Sequence, residues 1–228
     1  MLKQFETILF DADRTLFDTG AMETKALRQL MEELHLPFDP EMPRVYYEIN
    51  EDLWRRIETG ELTRPFVRVE RFRKMKELYR LPGTPEELNR RYLELFQVCN
   101  LLLPGAEEVC RILSKTKRLA IITNGSASVQ KTRFAISAVT AYCSGVYVSE
   151  DVGIPKPQKG FFDAVMRDMN ITDPKKILIV GDSLTSDIKG GNNAGIPTCW
   201  YNPNGEENNT DVVCDFEITD LRQLLTMD

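Results

Sequence analysis

The sequence predicts an α/β protein, a doubly wound and mostly parallel sheet into which an all-helical domain is inserted. Three observations carry this. From residue 101 to the end, short and nearly continuous apolar runs alternate with helical patterns, as expected of strands covered by helices on both faces. One more such run, "TILF" at 7–10, stands alone near the start. Between the two parts, residues 19–100 show helical periodicity and no convincing strand.

The first strand, "TILF", runs directly into the acidic stretch "DADRT" at 11–15. The helical block comes next. "MPRVYYEINEDLWRRIE" sets Tyr46, Ile49, Leu53 and Ile57 at helical spacing, and "PFVRVERFRKMKELY" does so with Phe66, Val69, Phe72 and Tyr79. "TPEELNRRYLELFQVC" carries Leu88, Tyr92, Leu95, Phe96 and Cys99. Its start is marked by Thr84 as N-cap, Pro85 in the first turn and Glu87 at the capping-box position. Tyr46, Tyr47 and Trp54 are expected to pack between helices rather than to stack on a ligand. With hinges at 17–20 and 100–105, the expected domains are 1–18 with 101–228, and 19–100.

In the second part, "PGAEEVCRILSK" puts Val109, Ile112 and Leu113 on one face. The clear strands are "RLAIIT" at 118–123, "KILIVGD" at 176–182 and "PTCWY" at 197–201; "GVYVS" at 145–149 and "DFEIT" at 215–219 are weaker. "PQKGFFDAVMRDM" is a helix burying Phe161, Phe162, Val165, Met166 and Met169. The polar run at 202–211 is a surface loop.

Composition narrows the function. Apolar residues at 42% and charged residues at 28% over 228 residues describe an ordinary globular chain with a self-sufficient core. A net charge of −6 argues against a nucleic-acid surface and leaves a small anionic ligand in need of local positive charge or a metal. No apolar run approaches a membrane span, and the start lacks the apolar stretch of a signal peptide. Five widely spaced cysteines without a CxxC pair suggest reduced thiols and a cytoplasmic protein. The single histidine, His35, sits in a helical pattern and excludes a histidine-rich metal site.

In an open α/β sheet, ligands bind beyond the carboxyl ends of the strands. This chain places Asp11 and Asp13, then Thr123-Asn124-Gly125, then Asp182 and Asp187 at such ends, and Lys156 in the loop "GIPKPQKGFF". Clustered carboxylates repel one another unless a cation lies between them. Mg²⁺ takes oxygen ligands from one or two carboxylates, phosphate oxygens and water. A carboxylate can attack phosphorus, a second can protonate the leaving oxygen, and hydroxyl, amide and ammonium donors can hold the phosphoryl charge. The set fits phosphoryl transfer.

Four of these stretches, in order, resemble the motifs of the haloacid dehalogenase (HAD) superfamily: DxDxT at 11–15, the strand-terminal Thr123 of "IITNG", Lys156 before proline, and GDxxxxD at 181–187. Residues 19–100 are similar to the family's helical cap. The resemblance implies a Rossmann-like core and a Mg²⁺-dependent phosphatase. It implies Asp11 as nucleophile and Asp13 as general acid/base, with the Asp13 carbonyl as a metal ligand. It also implies that Thr123, Asn124 and Gly125 bind the phosphoryl group, that Lys156 offsets charge, that Asp182 is a metal ligand and that Asp187 supports it from behind.

Asp13 argues for phosphate esters over organohalides, because an alkoxide needs a proton on leaving and a halide does not. A phosphonate-cleaving member would need a cap lysine, but Lys25, Lys74 and Lys76 lie in charge-rich faces. "SEDVGIPKPQKGFFDAV" is similar to the branch that dephosphorylates nucleoside 5′-monophosphates. Sugar-phosphate and phosphoglycolate phosphatases and β-phosphoglucomutase share the layout and stand as alternatives, as does a HAD-fold binding module without turnover. The expected partner is a small phosphorylated metabolite, not nucleic acid or a membrane; oligomeric state is not readable. Asp13 is expected to hold its proton through neighbouring carboxylate charge. Asp18 either faces the substrate or starts the first cap helix. Arg14, by strand alternation, is expected to point away from the two carboxylates and pair with an acidic surface group.

Overall fold

The computed structural model describes residues 2–58 and 60–227. The chain divides into two compact units, Met1–Asp18 with Asn100–Asp228, and Thr19–Cys99. The second is built of α1 (Thr19–Glu33), α2 (Met42–Glu58), α3 (Arg64–Tyr79) and α4 (Pro85–Gln97). Its core joins Leu27, Leu30 and Met31 of α1 with Tyr46, Phe72, Met75, Leu88 and Tyr92. Tyr46, Phe72 and Tyr92 form a triangle of rings with centroids 5.1–6.0 Å apart. The capping box of α4 is formed: Thr84 Oγ1 accepts from the Glu87 N–H at 3.2 Å and the Thr84 N–H donates to Glu87 Oε2 at 2.8 Å.

Three details of this unit differ from the sequence reading. Tyr47 is 44% exposed, because adjacent helical residues cannot share a face with buried Tyr46. Phe66 is 50% exposed, and the buried face of α3 is Val67, Arg71, Phe72 and Met75. Polar Arg71 broke the apolar period there; its guanidinium donates to the Asn50 and Asn89 side-chain oxygens at 3.3 and 2.9 Å. His35 is not helical: α1 ends at Glu33, and His35 takes a left-handed φ of 55° in the turn that follows.

The first unit is a six-stranded sheet: β1 (Thr7–Asp11), β2 (Arg118–Thr123), β3 (Gly145–Val148), β4 (Ile177–Gly181), β5 (Thr198–Tyr201) and β6 (Phe216–Ile218). The order is β3-β2-β1-β4-β5-β6, and every neighbouring pair is parallel. Around the sheet lie α5 (Ala106–Leu113), α6 (Ala127–Ile136), α7 (Ser149–Val152), α8 (Lys159–Asp168) and α9 (Lys189–Ala194). β1, β2 and β4 are continuous in apolar residues because both faces are covered. On one face, Leu9, Ala120, Ile122, Ile177 and Ile179 pack against Phe161, Phe162, Val165 and Met169.

The strand order turns back between β1 and β4. At that switch point the crevice beyond the strand ends is where an open sheet accepts a ligand. Asp11 ends β1 and Asp182 directly follows β4. Among the described residues, no helix is long and apolar enough to cross a membrane.

Candidate active site

At the switch point the carboxylates of Asp11, Asp182 and Asp187 lie within 4.8 Å of one another. Asp11 and Asp187 are buried, at 7% and 1% exposure. Lys156, itself 3% exposed, donates from Nζ to Asp11 Oδ1 and to Asp187 Oδ1, each at 2.6 Å. One ammonium thus bridges two buried carboxylates, and the third is left with less compensation. Burial pushes the Asp11 carboxyl well above the ordinary carboxylate range; Lys156 opposes this, and the charges of Asp187 and Asp182 add to it. Asp182 is pushed up to about 7, by burial first and by the Asp187 charge second, with Arg14 and Lys156 pulling the other way. Burial disfavours the Lys156 ammonium, but Asp11 and Asp187 outweigh it and hold Lys156 above its ordinary value.

Each of these side chains is fixed by its neighbours. Asn124 grips the Lys156 backbone from both sides: its Oδ1 accepts from the Lys156 N–H at 3.0 Å and its Nδ2 donates to the Lys156 carbonyl at 2.9 Å. Thr15, the last residue of the first motif, donates to Asp182 Oδ1 at 3.2 Å and accepts from the Asp182 N–H at 3.1 Å. Trp200 donates from its indole to the Asp182 carbonyl at 2.9 Å. Asp187 accepts from the Ser183 N–H at 3.2 Å, and Gly181 exists to admit it: a Cβ at 181 would meet Asp187 Oδ2 at 2.3 Å.

Asp13 and Thr123 form a second group. Thr123 is 1% exposed, and its hydroxyl accepts from the Gly125 N–H at 2.9 Å at the entry to α6. Asp13 lies past the end of β1, where its backbone bridges to Phe17. Its Oδ1 accepts from Arg133 Nη1 at 2.7 Å and its Oδ2 from Gln130 Nε2 at 2.6 Å. A guanidinium and an amide therefore hold Asp13, two partners that the sequence did not point to.

At Arg14 the backbone departs from the extended form assumed for it. Its φ of 62° is left-handed, so strand alternation has already ended and gives no guide to its direction. Its positive charge pulls the Asp182 carboxyl down, against the burial that raises it. Asp18 directly precedes α1, and its N–H donates to the Leu101 carbonyl at 2.9 Å. Lys76 donates to the Leu81 carbonyl at 3.1 Å and also to that of Gly83, which is a helix-ending role.

A haloacid dehalogenase-like hydrolase family profile matches residues 5–195. The chain belongs to the haloacid dehalogenase-like hydrolases. It is 35% identical to the HAD-hydrolase YfnB of Bacillus subtilis over 223 residues, 98% of this chain and 95% of that protein. It is 31% identical to the pyrimidine 5′-nucleotidase PynA of Streptococcus pneumoniae over 222 residues, covering 97% and 94%. Identity to the pyrimidine 5′-nucleotidase YjjG of Escherichia coli is 30% over 221 residues, covering 97% and 96%. The crystal structure of YfnB bound to magnesium superposes with a TM-score of 0.92 over 98% of both chains.

As a HAD-like hydrolase core, the sheet brings together Asp11, Lys156, Asp182 and Asp187, and beside them Asp13 and Thr123. Sequence reasoning passed over Gln130 and Arg133. The available signal was two long polar residues, in "SVQKTRF", at positions flanked by apolar Val129 and Phe134 on α6. Both are buried, at 1% and 0% exposure.

Proposed function

We propose that this protein is a Mg²⁺-dependent phosphomonoester hydrolase that works through an aspartyl phosphate on Asp11, with nucleoside 5′-monophosphates as its substrates. The observation that carries the reading is the ammonium of Lys156 shared between Asp11 and Asp187 at the switch point of the sheet. That arrangement sets a cation against a buried carboxylate, opposes its protonation and fixes it in place, which is what an attacking carboxylate needs. In the first step an Asp11 oxygen bonds to phosphorus, the bond from phosphorus to the leaving oxygen breaks, and Asp13 gives that oxygen a proton. In the second, Asp13 takes a proton from water, the water oxygen bonds to phosphorus, and Asp11 is released. Thr123 and the backbone around Asn124 and Gly125 receive the phosphoryl oxygens. The Asn124 side chain serves Lys156 instead.

Three oxygen-bearing carboxylates within 4.8 Å, two of them buried, suit a hard divalent cation. Asp11, Asp182 and the Asp13 carbonyl would hold it, with Asp187 kept on Lys156. Bound there, Mg²⁺ supplies positive charge to the phosphoryl oxygens. Near full-length similarity to two pyrimidine 5′-nucleotidases favours nucleotides over sugar phosphates and phosphoglycolate. The five cysteines are free, in keeping with a cytoplasmic location. The test is phosphate release with Mg²⁺ from a panel of nucleotides and sugar phosphates, by wild type and Asp11→Asn. Highest kcat/KM on nucleoside monophosphates and no release by the variant are expected. Equal release by both would remove Asp11 as nucleophile. No release from any substrate by wild type would favour a binding module.

A further inference from the structure

We infer that Gln130 and Arg133 of α6 are positioning residues for the general acid Asp13. They pin both of its carboxylate oxygens and tie it to the phosphoryl-binding Thr123. The inference rests on the reading of Asp13 as the acid that protonates the leaving group. Its evidence is separate from that reading and is geometric.

Gln130 Nε2 lies 2.6 Å from Asp13 Oδ2 and 3.3 Å from Thr123 Oγ1, so one amide joins the two groups that must act on opposite sides of the same breaking bond. Arg133 Nη1 holds Asp13 Oδ1 at 2.7 Å and approaches Gln130 Oε1 at 3.5 Å, and its guanidinium lies over the Phe17 ring at 5.4 Å. With one N–H donor on each oxygen, the carboxyl plane is set. The Asp13 side chain is still 30% exposed while that of Arg133 is fully buried, so the acid stays reachable from one side and is anchored from the other.

The pins work in both halves of the reaction. A carboxylate accepts at both oxygens, and a protonated carboxyl keeps acceptor capacity beside its O–H. Asp13 can therefore give and take a proton without releasing α6. Burying a glutamine and an arginine is costly unless polar atoms of each are used, and here Gln130 Nε2 and Arg133 Nη1 converge on one carboxylate. Gly125 supplies an independent sign that the arrangement is built in. A Cβ there would meet Gln130 Nε2 at 2.2 Å, so the loop after β2 is kept bare to let this amide reach Thr123 and Asp13. Because Gln130 and Arg133 lie three residues apart on one helix, the helix that follows the phosphoryl-binding loop also orients the acid beyond the neighbouring strand.

The test compares phenyl phosphate with p-nitrophenyl phosphate, which are alike in shape but differ in leaving-group basicity, for wild type, Asp13→Asn, Gln130→Leu, Arg133→Met and Arg133→Lys. The readout is kcat/KM, which covers steps up to leaving-group departure. Misplacing the acid hurts the more basic leaving group more. The ratio of p-nitrophenyl to phenyl phosphate is expected to rise about tenfold in Gln130→Leu and Arg133→Met. It should rise further in Asp13→Asn and return toward the wild-type value in Arg133→Lys. If Asp13→Asn raises the ratio but the α6 variants leave it unchanged, the positioning inference fails and the acid assignment stands. If Asp13→Asn leaves the ratio unchanged, the acid assignment fails and takes the inference with it. Should Arg133→Met not fold by circular dichroism, Gln130→Leu decides the question alone.

Discussion

Replacing Lys156 with methionine removes the ammonium that bridges Asp11 and Asp187. Methionine keeps the length and most of the volume of the stem, while the donation from Nζ to the Ile122 carbonyl at 3.3 Å goes with the ammonium. What is lost is charge. Both contacts are 2.6 Å and the Lys156 side chain is 1% exposed, as is that of Asp187. Breaking a buried pair by removing one partner costs about 3–5 kcal/mol. For a chain of this length, about 2–4 °C per kcal/mol gives a fall in Tm of ~6–20 °C. The loss should be largest at pH 8 without metal, where Asp11 and Asp187 would face each other and Asp182 as anions. It should shrink toward pH 5, where Asp11 and Asp182, both raised above the ordinary carboxylate range, can take protons and relieve the repulsion. The assay is differential scanning calorimetry of both proteins at several pH values in chelator. A variant as stable as wild type at pH 8 would show that the ammonium is not what makes this cluster tolerable.

Two further outcomes follow from the same cluster. Asp11 lies well above the ordinary carboxylate range and Asp182 near 7 in the folded chain, against about 4 when unfolded. Folded groups that hold protons more tightly give stability that is present below about pH 4 and lost as pH rises toward 7. A cation on the ionised carboxylates restores it, so the rise in Tm on adding Mg²⁺ should be small at pH 5 and larger at pH 8; a rise that is independent of pH would contradict this. Gly181→Ala places a methyl group 2.3 Å from Asp187 Oδ2. It should cost about 1–3 kcal/mol in thermal or urea unfolding and weaken the Mg²⁺ response, whereas an unchanged response would mean that Asp187 does not need its present position.

The sheet was legible because its strands are buried on both faces, so "TILF", "RLAIIT" and "ILIV" stand out as continuous apolar runs. Asp11, Thr123 and Asp182 were legible because each ends or directly follows such a run. What fixes them in place was less so. Asn124 read as a phosphoryl-binding residue, yet its side chain is spent on the Lys156 backbone, a contact made across 32 positions of sequence. Gln130 and Arg133 went unread, since nothing local shows that they reach Asp13, 117 and 120 positions away. Periodicity failed as a guide at Arg14 and His35 for one shared reason. Each takes a left-handed backbone conformation at the end of a regular element, and periodicity extrapolates through such a residue as though the element continued. In α3 the buried Arg71 broke the apolar pattern and shifted the inferred face toward Phe66.

In the proposed reaction Asp11 carries the phosphoryl group. The most direct test of this is acid quenching of the enzyme during turnover of a good substrate with Mg²⁺, followed by mass spectrometry of the peptide that contains residues 7–15. A fraction of that peptide should be heavier by one phosphoryl group, fragment at Asp11, and be absent both without substrate and in Asp11→Asn. Steady turnover with the peptide unmodified at every quench time, together with an active Asp11→Asn protein, would contradict it.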